Sequence, residues 1–162
     1  MEARQTMMLE LLSGENRRFI IPVFQRNYDW KEEQCTQLFK DIEYVHTNDI
    51  RKSHFLGTIV FVSNREVEML ELREFVLIDG QQRVTSIILL LKAIYDSLKD
   101  ATDEESQILR NRILNSYLIN QYTLEKFRLR LKPMKEDDIV FQKIMNNDYD
   151  FIDKKSNIYK NY

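Results

Sequence analysis

Residues 75–86, Phe-Val-Leu-Ile-Asp-Gly-Gln-Gln-Arg-Val-Thr-Ser, decide the fold of this chain because one apolar run stops before Asp79 and another begins after Arg83. The first run is short, branched and bounded, which is typical of a buried strand. The second run, residues 87–95, is longer and rich in leucine, which predicts a buried helix. The sequence therefore predicts a strand-to-helix junction that carries the polar or flexible residues 79–83.

Such a junction is suited to bind an anion. The first N–H groups of a helix lack intrahelical partners and carry partial positive charge. Arg83 in the first turn opposes the helix dipole by about 0.3–1 kcal/mol in the absence of a ligand, and a bound phosphate reverses that sign. A second interpretation stays open, in which Asp79 is only an N-cap, Gly80 a turn residue and the two glutamines solvated first-turn residues.

Composition limits the class of protein. A chain of 162 residues with 43% hydrophobic content forms one domain with a core, and a net charge of −2 argues against a protein that coats nucleic acid by bulk electrostatics. A single cysteine and the absence of a Cys/His cluster predict a cytoplasmic protein without a zinc site or an internal disulfide. No apolar run approaches the ~20 residues that span a bilayer, so we expect no membrane partner.

The remaining pattern predicts an α+β fold with a small mixed or antiparallel sheet and several helices. Residues 54–62 are rich in β-branched and aromatic residues, and we expect them to pair with residues 73–78 as an antiparallel hairpin. Residues 29–45 and 102–121 each begin with a capping box and are predicted helices. The inward residues of the second are predicted to be Ile108, Leu109, Ile113, Tyr117 and Leu118.

A predicted strand over residues 127–132 alternates apolar and basic residues. Its polar face consists of Arg128, Arg130 and Lys132. A face of this kind is usually only solvated, but it is equally able to hold a phosphate backbone or a triphosphate tail.

Two polar clusters are candidates for chemistry: Gln25-Arg26, which precedes a predicted helix, and the junction residues 79–83. Two arginines and two helix N-termini facing one cleft would neutralise a polyphosphate, and a carboxylate with a carboxamide would hold a divalent ion or orient a water. This pattern favours phosphoryl chemistry. Acyl transfer does not fit, because no Ser or Cys nucleophile has a base beside it.

Four motifs carry a resemblance to a known family. They are Ile-Pro-x-Phe-Gln-Arg-x-Tyr-x-Trp at 21–30, His-Phe-Leu-Gly at 54–57, Leu-Ile-Asp-Gly-Gln-Gln-Arg-Val-Thr at 77–85, and Arg-Leu-x-Pro at 130–133 with a following Asp. In this order they resemble the N-terminal domain of GmrSD-type modification-dependent restriction endonucleases, a relative of the ParB and sulfiredoxin fold. The match spans nearly the whole chain.

The resemblance implies that residues 1–162 form a single ParB/sulfiredoxin-like domain that binds and hydrolyses a nucleoside triphosphate. It also implies a bacterial defence protein that acts on modified foreign DNA, with a His-Asn-His nuclease domain following Tyr162; the chain ends in what reads as another helix, so we expect further protein downstream. The implied nucleotide-site residues are Gln25, Arg26, Tyr28, Asp79, Gly80, Gln81, Gln82, Arg83 and Thr85.

Within that site we assign roles as expectations. Arg26, Arg83 and the amides after Gly80 would bind the phosphates, while Asp79 would hold Mg²⁺ and, with Gln81, orient the metal or the attacking water. Nucleotide hydrolysis would then control the partner nuclease.

The competing hypothesis is a ParB-like module that binds DNA through Arg128, Arg130 and Lys132 and uses the Gln-Arg motifs structurally. A direct nuclease is a third, weaker alternative. The sequence leaves open which base the nucleotide carries, which DNA modification is sensed, and the oligomeric state, a homodimer included.

Overall fold

A mixed sheet organises the domain in the computed structural model, which describes residues 3–14, 16–48, 54–64, 72–121 and 123–162. The strands within these ranges are β1 (Arg17–Ile20), β2 (Val60–Asn64), β3 (Arg73–Asp79) and β4 (Leu131–Lys132). Their spatial order is β2-β3-β1-β4. Strands β2 and β3 pair antiparallel, as the predicted hairpin requires, whereas β1 runs parallel to both β3 and β4. The predicted α+β class with a mixed sheet is confirmed.

The helices surround this sheet, and one of them is central. The described helices are α1 (Met8–Ser13), α2 (Glu32–Asn48), α3 (Gln81–Ser97), α4 (Glu104–Ile113), α5 (Lys135–Met145) and α6 (Asn157–Lys160). Val84 and Leu89 of α3 are fully buried, and β3 passes into α3 across Gly80. The predicted strand-to-helix junction is therefore confirmed. None of these helices has the length and apolar character needed to cross a membrane.

Aromatic packing holds the hairpin against β1. The rings of Phe61 and Phe75 meet edge to face with centroids 4.9 Å apart, and Phe19 lies 5.8 Å from Phe75 and 6.2 Å from Phe61. Leu77 continues this apolar face toward α3 and is fully buried. The three strands consequently share one core with the central helix.

A buried ion pair crosses the opposite face of the sheet. Arg18 of β1 donates from Nη1 to Oε1 of Glu74 in β3 at 3.0 Å, and both side chains are nearly inaccessible to solvent. Arg18 also donates to the carbonyls of Lys126 and Leu129, and its guanidinium lies 5.2 Å from the ring centroid of Phe127. This one side chain therefore connects the sheet to the segment before β4.

The predicted helix over residues 102–121 is wrong in its extent and in two of its five inward residues. Helix α4 begins after Asp103, whose Oδ1 accepts the Ser106 N–H at 2.8 Å, and it gives way to a π-helical turn at Leu114–Leu118. Ile108 and Leu109 are exposed rather than inward. Ile113, Tyr117 and Leu118 are buried as predicted, and the guanidinium of the half-buried Arg110 lies 4.1 Å from the ring centroid of Tyr95.

The predicted strand over residues 127–132 is also wrong, because only its last two residues form β4 and Glu125–Phe127 is a 3₁₀ turn. Arg130 is buried and donates to the carbonyls of Gly14, Asn115 and Ile119. Those carbonyls lie at or near the ends of helical segments, where acceptors lack backbone partners. Arg130 therefore serves the fold, and a continuous basic face does not form.

Two further boundaries differ from the sequence expectation. Helix α2 begins at Glu32, later than a cap at Asp29 would place it, because the Asp29 N–H is bonded to a side chain of α3. Strand β2 begins only at Val60, because the backbone of Gly57 adopts a φ of +100° that ends an extended run.

Candidate functional site

The N-terminus of α3 follows a glycine turn. Gly80 precedes it with a φ of +87°, and a Cβ at this position would lie 3.0 Å from Cγ1 of Ile59, so the junction requires glycine. No side chain in the described ranges caps the helix, and Asp79 is exposed at the end of β3. The interpretation of Asp79 as a simple N-cap is therefore wrong, and the first amides of α3 remain available to an anion.

The two glutamines of the junction are buried, not solvated. Gln82 accepts hydrogen bonds at Oε1 from the N–H groups of Asp29 (2.8 Å) and Trp30 (3.3 Å). Its Nε2 donates to the carbonyl of Asn27 at 3.0 Å. Gln82 thereby attaches residues 27–30 to the central helix through their backbone.

A second contact joins the two Gln-Arg motifs directly. Gln81 donates from Nε2 to Oε1 of Gln25 at 3.1 Å, and Gln25 donates to the carbonyl of Ile78 at 2.9 Å. No described residue donates to Oε1 of Gln81. The sequence prediction that the two clusters lie together is consistent with this arrangement, and the Gln81 oxygen is left as an available acceptor.

Tyr28 is the buried anchor of the segment. Its hydroxyl lies 2.7 Å from Oγ of Ser86 and 3.4 Å from Sγ of Cys35, and Asn161 donates to it at 3.3 Å. Burial raises the pKa of the Tyr28 phenol far above its usual range, so the group stays neutral. Tyr28 therefore fixes the position of its own backbone and does not supply a charge.

A narrow cleft, here called the motif cavity, lies at the centre of these contacts and is too tight to hold a water molecule. Its walls include the predicted site residues Arg26, Tyr28, Gln81, Gln82 and Thr85, together with Asp137. Thr85 is almost fully buried, and no described residue makes a hydrogen bond with its hydroxyl. Buried polar groups are normally paired, so this hydroxyl is an unused donor and acceptor at the cavity wall.

Four predicted site residues lie outside the motif cavity, and one of them is Gln25, which contacts Gln81 and Ile78 as described above. Asp79 is exposed and has no hydrogen-bond partner in the described part of the chain. Arg83 donates from Nη1 to the carbonyl of Thr58 at 2.8 Å, and a Cβ at Gly57 would lie 2.8 Å from its Cζ. Gly80 forms the turn between the strand and the helix. The predicted site is thus divided between the cavity and the adjoining end of β3.

A wider groove of about 460 Å³ adjoins the motif cavity and shares Arg26, Tyr28 and Asp137 with it. Its volume is in the range of small-molecule sites. Asn27 lies in this groove, donates to Oε2 of Glu136 at 2.6 Å, and leaves its own Oδ1 buried without a partner among the described residues.

Asp137 was not among the residues that the sequence predicted for the site. It lies in the first turn of α5, and its Oδ2 accepts the Tyr28 N–H at 2.6 Å. The available signal was the aspartate that follows the Arg-Leu-x-Pro motif. That signal gives no role by itself, because acidic residues are common in the first turn of any helix.

A comparison with protein families identifies the family of this chain. The model of the N-terminal domain of the GmrSD restriction endonuclease matches residues 8–162. The chain belongs to this family. No curated protein sequence matches it significantly. As a GmrSD N-terminal domain, it takes part in a restriction-endonuclease system, and the family resemblance inferred from the four motifs is confirmed.

The fit of a magnesium ion to this GmrSD domain depends on Asp79. Among the residues that the structure describes, no group of three or more acidic, His or Cys side chains could hold a metal ion. Mg²⁺ at nucleotide sites is usually held by one or two carboxylates together with phosphate oxygens and waters. The unengaged carboxylate of Asp79, next to an open helix N-terminus, fits an ion that arrives with a nucleotide.

Replacing Gln82 with leucine should lower the free energy of unfolding of this GmrSD domain by about 2–3 kcal/mol, because it leaves polar backbone groups of residues 27–30 without their partners. Urea unfolding followed by circular dichroism measures the change. The control is Gln37→Ala, which removes one exposed bond to Asp41 and should change the value by less than about 0.5 kcal/mol. A loss below about 1 kcal/mol for Gln82→Leu would contradict the conclusion that Gln82 attaches residues 27–30 to α3.

Proposed function

We propose that this domain binds a nucleoside triphosphate with Mg²⁺ and hydrolyses it, and that hydrolysis controls a nuclease acting on modified foreign DNA. Room for a ligand is provided by the adjoining groove of about 460 Å³, and the observation that carries the proposal is the convergence of residues at the motif cavity. Five predicted nucleotide-site residues from two distant motifs, Arg26, Tyr28, Gln81, Gln82 and Thr85, line it beside the uncapped start of α3. Backbone N–H groups at such a helix start are suited to phosphate.

In this proposal the phosphates bind the first amides of α3 and two arginines. Arg26 is exposed and has no hydrogen-bond or ion-pair partner in the described ranges, so it is available to an anion. Arg83 is held by the Thr58 carbonyl through one nitrogen, which leaves its other N–H groups as donors. Neutralising the charge that develops on the transferred phosphoryl group is the main contribution that such donors make to catalysis.

Asp79 would hold the magnesium ion, which supplies charge neutralisation on the phosphate oxygens when bound. Gln81 orients the attacking water through its Oε1, because its Nε2 already donates to Gln25 and fixes the plane of the amide. Gln25 and Gln82 are positioning residues. The Gln25 amide binds the Ile78 carbonyl and the Gln82 amide binds the Asp29 N–H, so the two motifs are held next to each other.

The wider role rests on membership of the restriction-endonuclease family. We infer a ParB/sulfiredoxin-like regulatory domain that works in the cytoplasm with a C-terminal nuclease part and senses modified DNA. The alternative of a DNA-binding module through Arg128, Arg130 and Lys132 loses support, because Arg130 is buried and bonded to three backbone carbonyls. We therefore propose no second function.

The direct experiment measures phosphate release from each of the four common ribonucleoside triphosphates with Mg²⁺, in the presence and absence of modified DNA. Turnover of at least one nucleotide that stops when EDTA removes the metal supports the proposal. A folded sample that neither binds nor hydrolyses any of the four, with or without DNA, would overturn it.

Replacing Thr85 with valine should have opposite effects on stability and binding. The hydroxyl has no partner in the described chain, so removing it should raise the free energy of unfolding by about 1 kcal/mol. If a phosphate uses this hydroxyl, the dissociation constant of the nucleotide should rise about three- to tenfold. Thermal unfolding and titration with a fluorescent nucleotide measure the two effects. Unchanged affinity would remove Thr85 from the nucleotide site.

A further inference from the structure

Asp137 lines the motif cavity, and none of the roles proposed above involves its carboxylate. Of the described residues that line it, only Asp137 is acidic. Asp79 is exposed at the end of β3, and Asp29 lines only the adjoining groove. Glu136 also lines only the groove and accepts a hydrogen bond from Asn27. The motif cavity itself is too narrow for a water molecule, so a water would reach Asp137 from the adjoining groove of about 460 Å³, which Asp137 also lines.

The Asp137 carboxylate is held rigidly on one side. Its Oδ2 accepts the Tyr28 N–H at 2.6 Å, and Tyr28 is fixed by the contact of its hydroxyl with Ser86 at 2.7 Å. No described residue donates a hydrogen bond to Oδ1. One oxygen thus positions the side chain while the other remains an open acceptor, which is the arrangement that a general base requires.

The surroundings make this carboxylate more basic than an ordinary aspartate. Burial raises its pKa, the hydrogen bond from the Tyr28 N–H lowers it, and the nearby charge of Glu136 raises it, with burial the largest effect. The other charged or titratable side chains around the shared cavity and groove are Arg26, Tyr28, Asp29, Asp153 and Lys155. A base whose pKa lies closer to neutrality accepts a proton from water more readily.

We propose that Asp137 is the general base of the hydrolytic reaction, an assignment that rests on the proposed nucleotide hydrolysis. The attacking water forms a bond from its oxygen to the γ-phosphorus and transfers a proton to Oδ1 of Asp137. The bond between that phosphorus and the β–γ bridging oxygen breaks, and the nucleoside diphosphate leaves with the bond's electron pair. Asp137 then returns the proton to solvent, which regenerates the carboxylate.

The test compares Asp137→Asn with the wild-type chain under the conditions of the phosphate-release assay. Asparagine keeps an oxygen that can accept the Tyr28 N–H, so folding and nucleotide affinity should stay within about threefold of wild type, while kcat falls about a hundredfold or more. The wild-type kcat should decline as the pH falls, because protonated Asp137 cannot accept a proton, and this decline should be absent from the residual activity of the variant. The matched control, Asp100→Asn, changes an exposed carboxylate after α3 and should keep kcat within about threefold.

A second variant separates catalysis from structure. In Asp137→Ala, added formate should restore part of the lost kcat, because a small carboxylate can occupy the vacated space and accept the proton, whereas a purely structural defect would not respond. Near-wild-type kcat in Asp137→Asn, or a loss confined to KM, would overturn the assignment while leaving the proposed function intact. Absence of nucleotide binding and hydrolysis by the wild-type chain would overturn both.

Discussion

Replacing Asp79 with alanine should lower the rate of phosphate release by about a hundredfold or more while leaving the domain folded. The carboxylate is exposed at the end of β3, caps no helix and has no hydrogen-bond partner among the described residues. Its removal therefore costs no interaction of the fold, and the free energy of unfolding should change by less than about 0.5 kcal/mol. Steady-state kinetics and urea unfolding on the same preparation measure both quantities.

The control for this experiment is Asp100→Ala. Asp100 has an 88% exposed side chain and lies after α3, away from the junction, so its replacement should leave both turnover and stability unchanged. Raising the Mg²⁺ concentration should recover part of the activity of the Asp79 variant if its defect is weak metal binding. Full turnover in Asp79→Ala would remove this residue from the chemistry, and a loss of several kcal/mol of stability would show a structural role instead.

Replacing Glu74 with alanine should lower the free energy of unfolding by about 3–5 kcal/mol, because it leaves the charge of Arg18 buried without its counterion. Arg18 cannot turn to solvent at low cost, since its other nitrogens donate to the Lys126 and Leu129 carbonyls and its guanidinium lies over Phe127. Chemical unfolding at neutral pH measures the loss. The variant should remain a marginally stable protein, because a small domain has only about 5–15 kcal/mol in total.

The same chain provides an exposed ion pair as a matched control. Glu125 and Arg128 lie 3.5 Å apart with side chains that are largely accessible, so Glu125→Ala should cost less than about 0.5 kcal/mol. Combining Glu74→Leu with Arg18→Met should recover part of the loss, because the pair is then replaced by apolar groups. Equal effects of Glu74→Ala and Glu125→Ala would contradict the importance of burial at this pair.

The parts of the fold that follow from local pattern were predictable. The β3–α3 junction was predicted from the apolar run before Asp79, the glycine and the long apolar run after Arg83. The partner strand of the hairpin was predicted from the β-branched and aromatic residues 60–62. Long-range effects were not predictable. The alternating residues 127–132 predicted a strand. Arg130 is instead buried, because it donates hydrogen bonds to three backbone carbonyls elsewhere in the chain. Likewise, the helical period predicted that Ile108 and Leu109 point inward. Both are exposed, and the neighbouring Arg110 packs over Tyr95.

The proximity of the two motifs was predicted, whereas the contacts of their individual side chains were not. Both Gln-Arg motifs were expected to lie together, and the Gln81–Gln25 contact brings them together. No sequence pattern indicates that Gln82 binds the backbone of residues 27–30, because a glutamine amide can bind either a ligand or a neighbouring segment. Asp137 was missed because its proximity depends on how α5 packs against residues 26–28.

Because β1 lies between β3 and β4, its pairings in the sheet cannot be completed until both later strands have been made. Phe19 aligns with Phe75 on one side and with Leu131 on the other, so the middle of the sheet consists of pairings between residues that are far apart along the chain. Pairings of this kind must close large loops before they gain stability, which slows the search for the native state. During synthesis the first strand emerges from the ribosome long before its second neighbour exists. Until then its free edge is a place where a newly made chain can aggregate, and we expect refolding in vitro to become less efficient as protein concentration rises.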